Sequence, residues 1–341
     1  MFTPIPTQFI GPLFIKAETW QSEDLKVPLA TYETTLWPST QRGAKMSRLC
    51  QGIQVTTLKN CMTRSLYFST TSARQAHLIA EQINLESLQK VVSSTSQFAK
   101  LQAIHREIVG TQLYLRFSFF TGDASGHNMT TKAADAIISD LLQRFPELQY
   151  GSISANLCVD KKVSSINGIL GRGKHVIAEI TLPRALCVKH LRTTPEQIQT
   201  LNIHKNLMGG ILSGGVRSAN AHYANLLLAS YLATGQDAAN IVEGSQGITT
   251  AQVTTDGDLY FSVNLPNLIV GTVGNGKHHP DIALHLKNMG CEPDPAHPGK
   301  SSERLAEIIA ATVLCGELSL MAAQTNQGEL TKSHMIFERK K

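Results

Sequence analysis

Lys161 is the first of several ionisable residues whose type and position suit chemistry on a polar bond. It belongs to an Asp-Lys-Lys triplet after a strand-like run, 149–157, and Ser154 and Cys158 are expected to share one alternating face there. A lysine at a strand exit beside a cleft can hold its ammonium against a developing oxyanion, which is worth about 3–4 kcal/mol when preorganised. Most such triplets are solvated turns, so this alternative stays open.

Glu33 and Asp237 are carboxylates in largely uncharged surroundings. Glu33 lies in PLATYETTLWPSTQRG, and the nearest preceding charge is Lys26. Such surroundings favour the protonated carboxyl, which suits a proton donor near neutrality. Asp237 follows the apolar run NLLLASYLATGQ, so partial burial there requires a partner. A helix-start role for Glu33 and a helix cap for Asp237 are the alternatives.

His334 lies in LTKSHMIFERKK, seven residues from the end of the sequence. A histidine on a mobile tail can close over a site and donate a proton to a leaving group. A passive role is equally open to each of the twelve histidines.

Two glycine-containing segments are suited to a phosphate-bearing ligand. RFSFFTGDASGHNMTTKAAD joins a strand to a helix, and its small residues allow close backbone approach at the free N–H groups of the first helical turn. GTVGNGKHHPD places Gly271, Gly274 and Gly276 before Lys277. Neither has the G-x-G-x-x-G spacing of a Rossmann fold. An ordinary capped loop and a tight turn are the alternatives.

The elements that must position these residues follow from the apolar periodicity. The middle of the chain predicts a strand at 65–69, helices at 72–83 and 85–92, a hairpin of 101–109 and 112–120, a helix at 128–145 and a strand at 149–157. This β-α-β-β-α-β order is typical of a ferredoxin-like unit, the split βαβ. The apolar helices at 219–234 and 302–323 must be interior. The sequence predicts an α+β fold in which a larger, mainly helical domain, 1–64 and 153–341, receives an inserted ferredoxin-like domain, 65–152.

Composition limits the class of protein. With 341 residues, 42% of them hydrophobic and 17% charged, the chain can form two cores and is not a disordered protein. The longest apolar run, 308–323, is interrupted by polar residues and predicts a buried helix, not a membrane span. The N-terminus has no secretory signal pattern, so a cytosolic location is expected.

Cysteines and charges exclude other classes. The six cysteines lie far apart without a C-x-x-C pair, so we expect reduced packing residues and neither a disulfide framework nor a zinc site. The net charge is +5, but basic residues are scattered and aromatics make up only 6%. This disfavours nucleic acid and suits a small polyanion such as a nucleotide or coenzyme A.

Nine segments, in order along the chain, carry a resemblance to a known family. They are LATYETTLWPSTQRGAK, RFSFFTGDASGHNM, DKKVSSINGILGRGKHV, NIHKNLMGGILSGG, NAHYAN, GQDAANIV, GTVGNG, GELSLMAA and KSHM. Between Ile10 and Arg339 the sequence resembles the 3-hydroxy-3-methylglutaryl-coenzyme A (HMG-CoA) reductases, and most closely their class I form. From this resemblance we expect a soluble, prokaryote-like form without the family's membrane anchor and regulatory tail.

The resemblance implies a reaction and an assembly. The thioester is reduced to mevalonate and free coenzyme A, an isoprenoid precursor step, by two hydride transfers from a nicotinamide cofactor, without a metal. The family's large domain surrounds a long central helix and carries an inserted ferredoxin-like cofactor domain. Its members are homodimers or dimers of dimers, homotetramers, with each active site at the subunit interface.

The resemblance also implies roles for individual residues. Lys161 stabilises the oxyanion, Glu33 protonates the carbonyl oxygen of the aldehyde-level intermediate, Asp237 connects these two, and His334 protonates the departing thiolate. Substrate binding is implied for Arg64, Ser154, Asp160, Lys162, Lys205 and Asn225, and coenzyme A binding for Ser39, Arg42 and Arg192. Cofactor binding is implied for Ser96, Gln97, Asp123, Ser125, Gly126, Asn128, Met129, Val273, Gly274 and Gly276.

The sequence departs from the family pattern at three places. Gln97 follows Ser96 where NADP-preferring members have arginine, so NADPH is expected but NADH stays open, and Lys100 is a substitute cation. Trp37 and Pro38 add bulk beside Glu33, and a Glu-Asn segment that supports dimer contacts is missing. The alternatives are an NAD-dependent enzyme that oxidises mevalonate and an inactive paralogue that binds coenzyme A.

Overall fold

The computed structural model of the chain describes residues 3–337, except for the side chains of Ser333, His334 and Phe337. Its strands are β1 (Thr7–Ala17), β2 (Gln21–Ala30), β3 (Ile53–Ser69), β4 (Lys100–Val109), β5 (Gln112–Phe120), β6 (Gln149–Ser152), β7 (Gly173–Leu182), β8 (Ile248–Val253) and β9 (Leu259–Leu268). Its α-helices are α1 (Leu36–Leu49), α2 (Ala73–Gln82), α3 (Leu85–Ser93), α4 (His127–Arg144), α5 (Ser165–Leu170), α6 (Arg184–Leu186), α7 (Pro195–Leu201), α8 (Gly209–Leu212), α9 (Tyr223–Ala233), α10 (Ile241–Gly244), α11 (Pro280–Asn288), α12 (Lys300–Gln324) and α13 (Glu329–Phe337).

One long strand, β3, takes part in two sheet regions. In the first region the strand order is β2-β1-β3-β7-β9-β8, with β1 parallel to β3 and the other pairs antiparallel. Up to Cys61, β3 pairs with β7, and from Met62 it pairs with β5. The second region has the antiparallel order β4-β5-β3-β6. The sheet is therefore mixed, and the predicted α+β class is confirmed.

Helix α12 lies in the interior of the first region. Its most apolar window is long and apolar enough to cross a membrane, but 94% of that window is buried inside the protein, as predicted from the sequence. It packs against α1, β7 and α9. Gly43 of α1 lies directly against α12, since a Cβ atom there would overlap the Cys315 carbonyl. A side chain at this position would push α1 away from α12.

A separate hydrophobic core covers one face of the second sheet region. Leu113, Leu115, Phe117 and Phe119 alternate along β5 and point into this core, where they meet buried residues of α2, α3 and α4. The alternation is the period of a half-buried strand. The predicted β-α-β-β-α-β order over residues 65–152 is therefore present.

The strand predicted for 149–157 is too long, because β6 ends at Ser152. After that residue the Ser152 hydroxyl accepts the Ser154 N–H and donates to the Ser154 carbonyl, which replaces sheet pairing by a turn. Asn156 and Val159 then have φ values of 54° and 35°. Ser154 and Cys158 consequently do not share a strand face.

The larger part of the chain, predicted as mainly helical, also contains a sheet region that was not predicted. Residues outside 65–152 supply the six-stranded region as well as helices. In β7, Val176, Ala178, Ile180 and Leu182 are buried at every second position, a strand period that the emphasis on apolar helices overlooked. All six cysteines are free and five are buried, so their predicted packing role is confirmed.

Candidate functional site

Lys161 is carried by an irregular loop between β6 and α5. Its own φ is 55°, a left-handed conformation that costs a residue with a side chain of order 1 kcal/mol or more. Two hydrogen bonds stabilise this conformation. Asn167 Nδ2 donates to the Val159 carbonyl at 2.8 Å, and the Lys161 N–H donates to Glu243 Oε1 at 3.1 Å. The loop is thereby fixed at both sides of Asp160.

Two buried residues of opposite charge lie beneath the loop. Arg172, only 1% exposed, has Nη1 3.1 Å from Asp160 Oδ1 and 3.0 Å from Glu243 Oε1. His127 Nε2 is 3.5 Å from the same Asp160 oxygen. The contact with His127, with the positive charge of Arg172, lowers the pKa of Asp160, whereas burial raises the pKa of Glu243. Removing one partner of such a buried ion pair strongly destabilises the fold, because the other charge is left buried without compensation.

Lys161 and Asp237 form an ion pair. Lys161 Nζ is 2.8 Å from Asp237 Oδ2, and the side chains are 42% and 48% exposed. Their hydrogen bond raises the pKa of Lys161 and lowers the pKa of Asp237. Asp237 Oδ1 also accepts the Ala239 N–H at 3.1 Å and so caps the 3₁₀ turn Ala238–Asn240. Asp237 thus combines the partner role and the cap role that the sequence left as alternatives.

This ion pair lies on the wall of a cavity of about 640 Å³, which we call the lysine cavity. Residues of the two glycine-containing loops line the same cavity. Among its lining residues are Arg64, Ser125, Gly126, His127, Asn128, Met129, Asp160, Gln236, Asn240, Val273, Gly274 and Lys277. The loops meet closely, since Ala124 and Val273 form a parallel bridge and a Cβ atom on Gly271 would overlap the Ser125 nitrogen.

Glu33 lines a second cavity of about 340 Å³, which we call the glutamate cavity. Glu33 Oε2 accepts a hydrogen bond from Asn225 Nδ2 at 2.9 Å. Ser39 and Arg42 of α1 face the same cavity, and both contact the Ser319 hydroxyl at 3.0 Å. In one chain, Glu33 and Lys161 therefore lie on different cavities.

Comparison with known proteins decides the family. The profile of a family described as "Hydroxymethylglutaryl-coenzyme A reductase" matches residues 2–339. The chain belongs to the HMG-CoA reductase family. It is 44% identical over 338 residues to the 3-hydroxy-3-methylglutaryl-coenzyme A reductase of Pyrococcus horikoshii, covering 98% of this chain and 81% of the relative. It is 40% identical to the reductase of Aeropyrum pernix, and the match covers 98% of this chain and 79% of that relative.

A solved HMG-CoA reductase has the same fold. The class II enzyme of Streptococcus pneumoniae, described as bound to NADPH in open conformations, has a TM-score of 0.73 at 16% identity. The match covers 95% of this chain and 86% of that chain. The family match and the 44% identity to a named reductase show that the chain is an enzyme of the HMG-CoA reductase family, whose reaction reduces HMG-CoA to mevalonate.

Several residues predicted for an HMG-CoA reductase do not line either cavity. Ser154 and Lys162 are exposed on the Lys161 loop, and Lys162 Nζ donates to the Asp160 carbonyl at 3.2 Å. Arg192 is exposed after α6. Lys205 Nζ donates to Asn206 Oδ1 at 3.0 Å, and burial lowers the pKa of Lys205. Their roles in the reductase stay predictions.

Four residues predicted to bind the reductase's cofactor also lie outside the lining of the lysine cavity. The Asp123 carboxylate instead accepts N–H groups of Gly299 and Ser302 at 3.0 and 2.9 Å, at the start of α12. Negative charge at a helix start is favourable, which gives Asp123 a structural function. The remaining three are Ser96, Gln97 and Gly276.

The His334 side chain lies outside the described residues. The backbone of His334 belongs to α13, which the structure connects to the glutamate cavity at its first turn. Leu330 lines that cavity, and Glu329 Oε1 is 2.9 Å from Arg42 Nη1. The helix that carries the predicted acid of the reductase therefore begins beside Glu33's cavity.

Sequence reasoning missed Arg172, Glu243 and His127. Arg172 lies in the segment DKKVSSINGILGRGKHV, and Glu243 directly follows GQDAANIV, so both are near segments that carry the family resemblance. Nothing in their local pattern distinguishes a buried charge from a solvated one. Their pairing across 71 positions of sequence is visible only in three dimensions.

Proposed function

We propose that the lysine cavity is the hydride-transfer site at which this chain reduces HMG-CoA to mevalonate and coenzyme A. One observation carries the proposal: the Lys161–Asp237 ion pair and two glycine-containing loops line the same cavity of about 640 Å³. A preorganised ammonium in such a cavity stabilises the charge that develops on a carbonyl oxygen under hydride attack.

The cavity has features that fit a nicotinamide dinucleotide. A Cβ atom on Gly274 would meet no atom within 4 Å, so open space lies beside the backbone of this loop. Arg64 and Lys277 on the lining have no carboxylate partner among the described residues, which favours an anionic ligand. We propose that Ser125, Gly126, Asn128, Met129, Val273 and Gly274 hold the dinucleotide. The bound cofactor supplies the hydride.

Lys161 and Asp237 then act together. Asp237 keeps Lys161 protonated and fixes its ammonium, and the Lys161 loop is held by Glu243 and Arg172 behind it. Lys161 donates to the carbonyl oxygen as negative charge develops there. We propose that Arg64 and Asp160, on the same cavity, bind the 3-hydroxy-3-methylglutaryl group, together with Ser154, Lys162, Lys205 and Asn225.

A second subunit would complete the site. Glu33 lies on the glutamate cavity, so its proposed protonation of the aldehyde-level oxygen requires Lys161 of another copy. The segment 203–216 supports a dimer, because its apolar side chains are exposed, with Ile211 71% and Leu212 84% accessible. Such a patch is typical of an interface. Assembly into a dimer or a dimer of dimers is part of the proposal.

The thiolate of coenzyme A would leave near the glutamate cavity. Ser39 and Arg42 line it and are proposed, with Arg192, to bind coenzyme A. Arginine suits the phosphates of this ligand. His334, carried by the helix whose first turn contacts Arg42, is proposed to protonate the thiolate. An imidazole has the pKa range that this step needs.

The cofactor preference, domain limits and location also belong to the proposal. The Streptococcus pneumoniae enzyme is described as bound to NADPH, which supports a nicotinamide cofactor here. NADPH is expected and NADH stays open, since Gln97 offers an amide in place of a guanidinium. Residues 65–152, with the strand order β4-β5-β3-β6, are proposed as the ferredoxin-like cofactor domain. A cytosolic location is proposed from the sequence.

Turnover by the purified chain tests the function. Oxidation of NADPH and, separately, NADH is followed by absorbance with HMG-CoA as substrate. We expect Lys161→Ala to lower kcat by about two to three orders of magnitude, because the oxyanion loses its fixed cation. The exposed Lys90 on α3 provides a control, and Lys90→Ala should keep normal turnover. Unchanged turnover in Lys161→Ala would contradict the proposed mechanism.

The same assay separates the alternatives. Activity only with mevalonate, coenzyme A and NAD would identify the oxidising enzyme. Binding of coenzyme A without turnover in either direction would identify an inactive paralogue.

A further inference from the structure

Lys277 follows the second glycine-containing loop and lines the lysine cavity. Its backbone N–H donates to the Gly274 carbonyl at 3.3 Å, which closes the turn. Its ammonium donates to the Gly235 carbonyl, two residues before Asp237. The second glycine-containing loop contacts the Gly235 segment here, since a Cβ atom on Gly276 would lie 2.8 Å from the Gly235 oxygen. Hydrogen bonds therefore hold both the backbone N–H and the side-chain ammonium of Lys277.

The charges on the cavity wall leave Lys277 without a carboxylate. Asp237 pairs with Lys161, and Asp160 pairs with Arg172 and lies close to His127. Within residues 3–337, no salt bridge involves Lys277 or Arg64. The lining therefore has a surplus of positive charge, and Lys277 is one of two residues that carry it.

The ammonium of Lys277 has unused donor capacity. It carries three N–H groups, and the Gly235 carbonyl takes one of them. Burial lowers the pKa of Lys277 to about 8. A partly buried ammonium with one neutral acceptor is costly, and an anion in the cavity would offset this cost.

We propose that Lys277 binds the diphosphate of the nicotinamide dinucleotide. This inference rests on the proposed function and adds a cofactor-binding residue to it. Lys277 extends from the loop of Val273 and Gly274, which is bridged to Ala124 beside Ser125, and the dinucleotide is proposed to lie along these loops. Arg64 remains for the carboxylate of the other substrate. The diphosphate is common to NADPH and NADH, so Lys277 should serve both.

The test measures dinucleotide binding directly. NADPH and NADH are titrated into the wild-type chain and into Lys277→Met, with nucleotide fluorescence as the readout. We expect Kd for both dinucleotides to rise about 10- to 100-fold, the usual effect of losing a charge-assisted hydrogen bond. Lys277→Arg should restore most of the affinity. Lys90→Met removes an exposed lysine elsewhere and should leave both Kd values unchanged.

Steady-state kinetics distinguish the source of the anion. In Lys277→Met, KM for the dinucleotide should rise while KM for HMG-CoA changes less than about twofold. A rise only for HMG-CoA would assign Lys277 to the thioester substrate and overturn the inference. A loss confined to NADPH would assign it to the 2′-phosphate and would overturn the diphosphate assignment.

Failure of the inference differs from failure of the proposed function. If wild-type protein turns over but Lys277→Met binds both dinucleotides normally, only the role of Lys277 is wrong. If wild-type protein neither binds dinucleotide nor turns over, the proposed function is wrong. Thermal unfolding of Lys277→Met, measured in parallel, identifies a variant that fails to fold, and Lys277→Gln then replaces it.

Discussion

Lys161 and Lys174 show how differently two lysines of one chain can be placed. Lys161 is partly exposed and paired with Asp237 at 2.8 Å, so it keeps its charge and remains accessible to a substrate. Lys174 on β7 is buried, and its ammonium donates to the Val270 carbonyl at 3.1 Å. Burial lowers the pKa of Lys174 to about 8. The first arrangement suits the proposed catalytic role of Lys161, and the second has a cost in stability.

Lys174→Met should stabilise the protein at neutral pH. The folded-state pKa of about 8 is below the unfolded value of 10.5, so the unfolded chain binds more protons between these values. The cost of burying the charge is full below pH 8 and disappears above about pH 10.5. We therefore expect the free energy of unfolding of the wild-type protein to rise by on the order of 3 kcal/mol from this residue as the pH increases from 8 to 10.5. Lys174→Met should gain a similar amount at pH 7.

Chemical denaturation at a series of pH values measures this effect. The exposed Lys132 on α4 is the control, and Lys132→Met should keep the wild-type pH dependence. A Lys174→Met protein that is less stable than wild type at pH 7 would show that the hydrogen bond to Val270 outweighs the buried charge.

At the scale of elements, the Lys161 loop depends on the charges behind it. Arg172 joins the loop, through Asp160, to Glu243 of α10. Glu243 is fully buried and also accepts the Lys161 N–H. The loop's left-handed residues are thus maintained by the buried charges of Arg172 and Glu243.

Arg172→Met should destabilise the fold by about 3–5 kcal/mol, since Glu243 would be left as a buried charge without a cation. Arg144→Met is the matched control: Arg144 pairs with Asp140 at 3.0 Å on the surface of α4, and its loss should cost less than about 1 kcal/mol. Denaturant unfolding gives both values. Equal losses in the two variants would mean that burial adds nothing to the Arg172 contacts.

Local patterns predicted the elements of residues 65–152 but not the larger sheet. Helices α2, α3 and α4 and the β4–β5 hairpin follow from apolar periodicity and turn residues close in sequence. The pairing of β3 with β7 joins residues more than a hundred positions apart, which no local pattern encodes. The loop that follows β6 was not predicted for a related reason, because its conformation is fixed by distant groups such as Glu243.

The site was predictable only in part. Family resemblance brought Lys161 and Asp237 together, and the ion pair agrees with it. The same resemblance assigned Asp123 to the cofactor, whereas its carboxylate is engaged at the start of α12. Residue type indicates what a side chain can do, but competing partners decide where it is used.

For the whole molecule, the separation of the two cavities leads to a test by subunit mixing. Lys161→Ala and Glu33→Ala should each be inactive alone. If each active site combines Glu33 of one subunit with Lys161 of another, a mixed dimer contains one intact pair. We expect turnover to appear when the two variants are unfolded, mixed and refolded together, and light scattering should show an oligomer.

In the control, Lys161→Ala protein is mixed with a Lys161→Ala, Lys90→Ala double variant, and Glu33→Ala protein with a Glu33→Ala, Lys90→Ala double variant. Neither mixture contains an intact Glu33–Lys161 pair, so neither should be active. Absence of activity in the Lys161→Ala and Glu33→Ala mixture, with oligomers present, would place both residues in the same subunit's site.

Strand β3 has a bearing on how this protein can be divided. A fragment cut at the sequence limits 65–152 would start inside a continuous strand and would lose Met62, Thr63 and Arg64, which pair with β5. Its central strand would then be shortened at the end nearest the cavity. A fragment meant to contain the second sheet region alone should begin at Ile53. Without β7, residues 54–61 of β3 would then form an unpaired strand edge, which favours aggregation.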